Sequence, residues 1–167
     1  LSKMPADGYS LGFAHTATFG IGPHLSKSVG YDPERDFTPI ARIAEYVNLL
    51  VVRADSPFQT VGELITAARA KPGSLNYGSA GNGTFAHLAM AQFTQATGTK
   101  ISHVPFKGLA PSMMGLLRND VQIMASDIPG ALEHIRAGKL RALAHTGTTR
   151  MPQLPGLPTL AETGVKD

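Results

Sequence analysis

The sequence predicts an α/β fold, with a wrapped, mostly parallel sheet and flanking helices. Three observations carry this prediction: apolar segments of strand length alternate with helix-like segments, several helix candidates have capping residues, and small polar loops rich in glycine follow the strands. The chain has 167 residues, of which 43% are hydrophobic and 16% charged, so it can bury a sizeable core.

Six segments of the chain are predicted to form strands, and their order sets the topology. A short strand is predicted at 9–14, followed by a loop rich in Thr, Ala and Gly at 15–22. Later strands are predicted at Asn48–Arg53, LNYGSAG (75–81), KISHVPF (100–106), VQIMASD (121–127) and LRALAHT (140–146). Helices are predicted between them, at TVGELITAARAKPG (60–73), Thr84–Thr97, Ala110–Arg118, Ala131–Ala137 and Thr159–Thr163.

The helix between residues 60 and 73 has the plainest start and stop signals. Thr60 and Glu63 form a capping box, and an apolar face follows with the 3.6-residue period. Lys71, Pro72 and Gly73 then end the helix. Gly98 ends the next helix in the same way.

Composition and charge exclude several functional classes. The net charge is +3, but the basic residues are scattered and form no run, which disfavours nucleic-acid binding. The chain has no cysteine, so thiolate metal sites and cysteine nucleophiles are excluded. Its six histidines show no metal-ligand spacing, and no apolar run is long enough for a membrane span. We therefore expect neither a metal nor a cofactor.

The most informative stretch is YGSAGNGTFAHLA, residues 77–89. A strand, a glycine loop and a helix N-terminus together make an anion site, because the first amides of a helix lack internal acceptors. Gly81 and Gly83 would let an oxyanion approach the backbone, while Ser79, Asn82 and Thr84 offer side-chain donors. The alternative is a tight turn in which Asn82 or Thr84 is an ordinary N-cap.

The same loop matches one nucleotide-binding motif only in part. Gly81-Asn-Gly83-Thr-Phe-Ala86 matches G-x-G-x-x-A, but no acidic residue lies between Thr84 and Asn119, which disfavours NAD. Lys107 could meet a 2′-phosphate, so an NADP-binding enzyme domain stays an alternative. The P-loop and nucleophile-elbow patterns both fail, and no catalytic group can be assembled.

His87 and Asp127 each allow two interpretations, one as a ligand contact and one as a structural residue. His87, in the first turn of the second helix, is either a ligand contact or a local packing and hydrogen-bonding residue. Asp127 ends a strand, so it is either a carboxylate that faces the ligand or a cap for the following turn. We keep His87 and Lys107 as candidates for a supporting role around the ligand.

Several segments together resemble the Bug-type solute receptors of tripartite tricarboxylate transporters. The resemblance covers essentially the whole chain, in order and with natural spacing. It is carried by PADGYSLGFAHTATFGIGPHL (5–25), YDPERDFTPIARI (31–43), LNYGSAGNGTFAHLAMAQF (75–93), VPFKGLAPSMMGLL (104–117) and GKLRALAHTGTTRMPQLPGLPTLAETGV (138–165).

The resemblance implies a two-lobed Venus-flytrap receptor of the type II periplasmic-binding class. It implies no catalysis, an organic carboxylate as ligand, membrane permease subunits as partners, a periplasmic location and a monomer. Residues Thr16, Ala17 and Thr18 resemble a first-lobe contact, the 78–84 loop resembles the second-lobe carboxylate cradle, and Asp127 matches a polar position that faces the cleft.

Family members begin with a strand and a P-x-x-P-G-G-like loop that this sequence lacks. We therefore expect a fragment that lacks both ends. The expected organisation is a partial first lobe and crossover at 1–47, a second ligand-binding lobe at 48–150, and a tail at 151–167 leading back to the first lobe. A sensory module that uses the same fold for signalling is a further alternative.

Overall fold

A computed structural model describes residues 1–26, 28–44 and 46–165, without the side chains of Ala17 and Leu25. The chain divides into two compact units, Leu1–Glu45 and Tyr46–Asp167.

The first unit contains a π-helix, Ala17–Ile21, and a single-turn helix α1, Gly22–Leu25. The predicted loop at 15–22 is therefore wrong: the backbone winds into helical turns there, and the amides of Thr18 and Phe19 both donate to the His15 carbonyl. The strand predicted at 9–14 is also wrong. A strand needs a neighbouring strand for its backbone hydrogen bonds, and the described part of this unit contains none.

The second unit alternates five strands with four helices along its described residues. The strands are β1 (Asn48–Arg53), β2 (Asn76–Ser79), β3 (Ser102–Pro105), β4 (Ile123–Asp127) and β5 (Leu140–His145). The helices are α2 (Val61–Ala70), α3 (Phe85–Thr97), α4 (Leu109–Leu117) and α5 (Ile128–Arg136), and a 3₁₀ turn follows at Ala161–Thr163. All five strands and all five helical segments predicted beyond residue 47 are present; β1 has the predicted bounds, and the bounds of most of the others are shifted by one to a few residues.

The strands form one mixed sheet in the order β3-β2-β4-β1-β5. Strand β2 pairs in parallel with β3 and β4, while β1 pairs antiparallel with β4 and β5. Four strands therefore run in one direction, which confirms the prediction of a mostly parallel sheet, and β1 runs against them. Its all-apolar sequence LLVV is buried on both faces of the sheet, as befits a central strand.

Helices cover both faces of the sheet. On one face, Leu64 of α2 and Met90 and Phe93 of α3 pack with Leu50 and Val52 of β1. On the other face, Met113 and Leu116 of α4 and Ala131 of α5 pack with Leu49 and Val51. We call these the α2/α3 face and the α4/α5 face. Alternate residues of β1 serve opposite faces because successive side chains of a strand point to opposite sides.

Helix α5 begins three residues earlier than predicted, at Ile128. The Asp127 carboxylate caps it by accepting the Gly130 amide, and Pro129 fits the first turn because its missing N–H has no helical acceptor there. The described part of the 151–167 tail packs on the second unit: Met151 joins the α4/α5 face, and Thr159 forms a bridge with His145. Its course back toward a first lobe stays a prediction.

Candidate functional site

The candidate site lies at the edge of the sheet where β2, β3, β4 and β5 end. Because these strands run in one direction, the segments that follow them meet at this edge. Strand β1 runs the other way and brings its first residue, Asn48, to the same edge, paired with Asp127 at the end of β4.

The glycine loop between β2 and α3 depends on backbone conformations that favour glycine. Gly81 and Gly83 have φ values of 137° and 72°, which L side chains rarely adopt. The loop is also tied to the segment after β3, because the amides of Phe106 and Gly108 donate to the carbonyls of Ser79 and Ala80 at 3.0 and 3.1 Å. Two neighbouring loops therefore hold each other in place.

Thr84 is the N-cap of α3. Its hydroxyl accepts the His87 amide at 3.4 Å and donates to the Gly81 carbonyl at 2.8 Å. This agrees with the interpretation of Thr84 as a cap, and it leaves the backbone amides as the donors of the loop. The amides of Phe85 and Ala86, in the first helical turn, make no hydrogen bond to any described residue, and neither does that of Asn82.

Ser79 lies under the loop, with no exposed surface. Its hydroxyl contacts the Gly81 carbonyl at 3.0 Å, the Gly81 amide at 3.2 Å and His103 Nε2 at 2.7 Å. All three contacts are satisfied at once when Ser79 donates to the carbonyl and His103 donates from Nε2. The geometry gives Ser79 an internal role that shapes the loop.

His87 and His103 stack on each other beside this serine. Their ring centroids are 4.1 Å apart with 15° between the planes, and Tyr77 also stacks on His103, at 4.8 Å. Burial lowers the pKa of His103, and the nearby His87 lowers it further. His87 Nδ1 accepts the Gly83 amide at 3.0 Å, so its ring is deprotonated at Nδ1.

Asp127 combines a structural contact with an aromatic neighbour. Its Oδ1 accepts the Gly130 amide at 3.0 Å, which is the capping role considered above. Its carboxylate also lies near the Tyr46 hydroxyl, and the pKa of Tyr46 is raised first by burial and then by the nearby Asp127 carboxylate. The Tyr46 ring meets Phe85 edge-on at 5.6 Å, which links Asp127 to the first residue of α3.

Two buried polar atoms at this edge have no hydrogen-bond partner among the described residues, Asn48 Nδ2 and His145 Nε2. Asn48 is 2% exposed and His145 is fully buried. Asn48 lies two residues before Leu50 in β1. Because alternate residues of a strand share a face, the Asn48 side chain lies on the α2/α3 face with Leu50. His145 pairs with Leu49 and lies on the other face, where burial lowers its pKa while Glu162 opposes the shift. An unpaired buried donor is costly, so Asn48 is a group that a bound partner would satisfy.

The remaining predicted residues are placed as follows. Asn82 and Lys107 are exposed beside the glycine loop and after β3. Thr16 and Thr18 belong to the first unit, where the Thr18 hydroxyl donates to the His15 carbonyl at 3.0 Å. The backbone of Ala17 starts the π-helix, and its side chain lies outside the described part. Whether these three residues contact a ligand stays a prediction.

Sequence reasoning missed Tyr46, Asn48 and His103 as members of this edge. Strand β1 looked like plain core, and only its antiparallel direction carries its start to the ends of the other strands. A signal existed for Asn48: an amide side chain directly before a fully apolar strand is buried at a strand end. Across the described ranges, no group of acidic or histidine residues is arranged to hold a metal ion, and no helix is long and apolar enough to cross a membrane.

Comparison with known proteins places these features in a family. The family model described as "Tripartite tricarboxylate transporter family receptor" matches residues 1–167. Protein BugT of Bordetella pertussis is 33% identical over 164 residues, which are 98% of this chain and 50% of that protein. The chain spans about half the length of the curated relatives it matches.

Two solved structures with named ligands have similar folds. The Rhodopseudomonas palustris structure titled "R. palustris Rpa4515 with adipate" has a TM-score of 0.86 and 38% identity, with 98% of this chain and 55% of that chain covered. The structure titled "MatC (Rpa3494) from Rhodopseudomonas palustris with bound malate" has a TM-score of 0.75 and 27% identity, with 90% and 49% covered. The predicted fold class and resemblance are thereby confirmed.

Proposed function

Because this chain belongs to the family of tripartite tricarboxylate transporter receptors, we propose that it is the carboxylate-holding part of an extracytoplasmic solute receptor. Its ligand is a small organic acid, and its partners are the membrane permease subunits of the transporter. The protein works in the periplasm as a monomer and catalyses no reaction. The proposed organisation is the one expected from the sequence, with 48–150 as the second ligand-binding lobe.

The observation that carries this proposal is the set of free amides at the start of α3. The amides of Asn82, Phe85 and Ala86 have no acceptor among the described residues, and a helix N-terminus carries about half a positive charge. A carboxylate oxygen accepts several such hydrogen bonds at once. The first turn of α3 contains no acidic residue that would compete for this position.

A second group of polar atoms lies at the same edge of the sheet. Asn48 Nδ2 is a buried donor without a partner among the described residues. Asp127, the residue opposite Asn48 on β4, has its carboxylate near the Tyr46 hydroxyl. We propose that Asn48 bonds the ligand or a water molecule held with it. Asp127 and Thr84 hold the helix starts, and Ser79 holds the glycine loop. Asn82 stays a proposed ligand contact and Lys107 a proposed supporting residue, and the ligand contacts of Thr16, Ala17 and Thr18 stay predictions for the first unit.

The test is a thermal-shift titration of the full-length natural protein with mono-, di- and tricarboxylates, amino acids, phosphate, NAD and NADP. A ligand that binds only the folded state stabilises it by about 2.7 kcal/mol at a hundredfold excess over Kd. We expect dicarboxylates such as adipate and malate to raise the melting temperature by several degrees. No shift with any carboxylate would overturn the proposal.

A matched pair of glycine variants separates loss of the site from loss of stability. Gly83 and Gly73 have φ values of 72° and 78°, so Gly83→Ala and Gly73→Ala impose the same kind of backbone strain. Gly73 lies between α2 and β2, at the opposite edge of the sheet. We expect both variants to lower the melting temperature and only Gly83→Ala to weaken the response to the carboxylate.

The NADP-binding enzyme domain is tested in the same titration. The β2–α3–β3 unit is parallel, as a dinucleotide-binding unit requires, and Lys107 follows β3. A shift with NADP and none with carboxylates would make the glycine loop a cofactor site. The full open reading frame that contains this sequence would distinguish a transport receptor from a sensory module, because a sensory module requires a signalling domain fused to the same chain.

A further inference from the structure

Helices α2 and α3 begin with the same arrangement of hydrogen bonds, closed by different side chains. In α2, Thr60 Oγ1 accepts the Glu63 amide at 3.2 Å, and Glu63 Oε2 reaches back to accept the Gln59 amide at 2.6 Å. This is a capping box, in which the third helical residue returns to the amides that precede the helix.

In α3 the acid of the box is replaced by a histidine. Thr84 Oγ1 accepts the His87 amide at 3.4 Å, and His87 Nδ1 accepts the Gly83 amide at 3.0 Å. Thr84 and His87 have the same spacing as Thr60 and Glu63, and each third residue accepts the amide four positions before it. His87 therefore makes the return contact of a capping box with an acceptor that carries no negative charge.

The charge of this acceptor matters because of its position. A carboxylate at the third residue of α3 would offset the positive end of the helix dipole beside the free amides of Phe85 and Ala86. A neutral imidazole holds Gly83 in place and leaves that potential for a ligand. No Asp or Glu side chain forms an ion pair with His87 or His103 among the described residues.

The ring of His87 is held in the orientation that this contact needs. It stacks on His103, and the His103 ring is fixed in turn by Ser79 and Tyr77. Asn48, buried and unpartnered on the same sheet face, shows independently that this edge contains a donor awaiting a partner. The stack therefore connects β2, β3 and α3 around one loop amide.

We propose that His87 is a positioning residue, whose neutral acceptor shapes the glycine loop and keeps the N-terminus of α3 open to an anion. This inference rests on the proposed function, since it assigns how the same loop favours a carboxylate. His87 contributes two properties, the hydrogen bond that holds the loop and the absence of a negative charge. Substitutions at this position can change one of these properties and keep the other.

The experiment compares His87→Gln, His87→Glu and His87→Ala in the full-length natural protein. Gln and Glu side chains have nearly the same shape. Glu63, which accepts the Gln59 amide, shows that a side chain of this length reaches the amide four residues before it. Hydrogen exchange of the Gly83 amide reports the loop without any ligand. We expect protection in the unchanged protein, in H87Q and in H87E, and exchange at least about tenfold faster in H87A, which loses the hydrogen bond.

Carboxylate affinity is measured on the same variants with adipate and malate as probes. We expect H87Q to bind close to the unchanged protein and H87E to bind at least about tenfold more weakly than H87Q, through repulsion of like charges. Equal affinity of H87E and H87Q would overturn the role of charge, and unprotected Gly83 in H87Q would overturn the role of position. A protein whose Gly83 protection follows the expected pattern but binds no carboxylate would instead overturn the proposed function.

Discussion

Helices α2 and α3 cover the same face of the sheet and pack into the same core, yet their N-termini differ in purpose. At the start of α2, Thr60 and Glu63 satisfy two amides and place a negative charge at the positive end of the helix. The start of α3 has the cap and the return contact but no negative charge. Under the proposed function, the difference teaches that replacing the acid of a capping box leaves the helix N-terminus free for an anion.

The bodies of the two helices should contribute equally to stability, and this is the largest effect we predict. Leu64 of α2 and Met90 of α3 have 0% and 1% of their surface exposed and belong to one core cluster. Leu64→Ala and Met90→Ala should each lower the free energy of unfolding by about 2–5 kcal/mol. Urea unfolding measures both, and a cost under about 1 kcal/mol for either would show that the helix is not anchored there.

Two histidines should also make the stability of the folded chain depend on pH: His103, which stacks on His87 of α3, and His145, on the α4/α5 face. Burial lowers the pKa of His103, as it does for His145, so the unfolded chain takes up these protons first as the pH falls below about 6.5. Stability is full above that pH and decreases below it, by at most about 1.4 kcal/mol per pH unit for each imidazole. Urea unfolding at several pH values between 8 and 5 measures the slope.

His103→Gln sharpens this prediction because glutamine can keep the donor to Ser79 without titrating. In this variant, we expect the number of protons taken up on unfolding below about pH 6.5 to fall by up to one, so that the slope of stability against pH becomes smaller. An unchanged slope would mean that His103 has the same proton affinity in the folded and unfolded states.

The two threonine caps offer a direct comparison at the level of about 1 kcal/mol. Thr60→Ala and Thr84→Ala each remove the oxygen that accepts the amide of the third helical residue, so both should reduce stability by a similar amount. Only Thr84→Ala should also weaken carboxylate binding, by about tenfold or less. Binding that is weakened equally by both changes would remove the distinction between the two helix starts.

The smallest effect concerns Tyr46, which joins Asp127 to the first residue of α3. Asp127→Asn keeps an oxygen for the Gly130 amide and removes the charge that raises the pKa of Tyr46. We expect that pKa to fall part of the way toward its ordinary value, because burial still raises it. Absorbance titration of the tyrosines follows the change, and a Tyr46 pKa unaffected by the substitution would contradict the assigned contact.

Most of the second unit could be predicted from the sequence because its signals are local. The capping box at Thr60 and Glu63, the glycine after Thr97 and the apolar run of β1 each specify an element through a few neighbouring residues. The segment at 9–14 is also predicted as a strand from its local sequence and forms none, since strand formation depends on a partner that local sequence does not provide.

The sequence by itself determined the elements of the sheet unit, the glycine loop and the start of α3, because capping, turn conformation and apolar periodicity act over a few residues. Tertiary structure alone decided that β1 runs against its neighbours, that Tyr46 and Asn48 therefore reach the ends of the other strands, and that His103 stacks on His87. These contacts join residues far apart in the chain. Their energies come from packing and burial in the folded sheet, which no short stretch of sequence specifies.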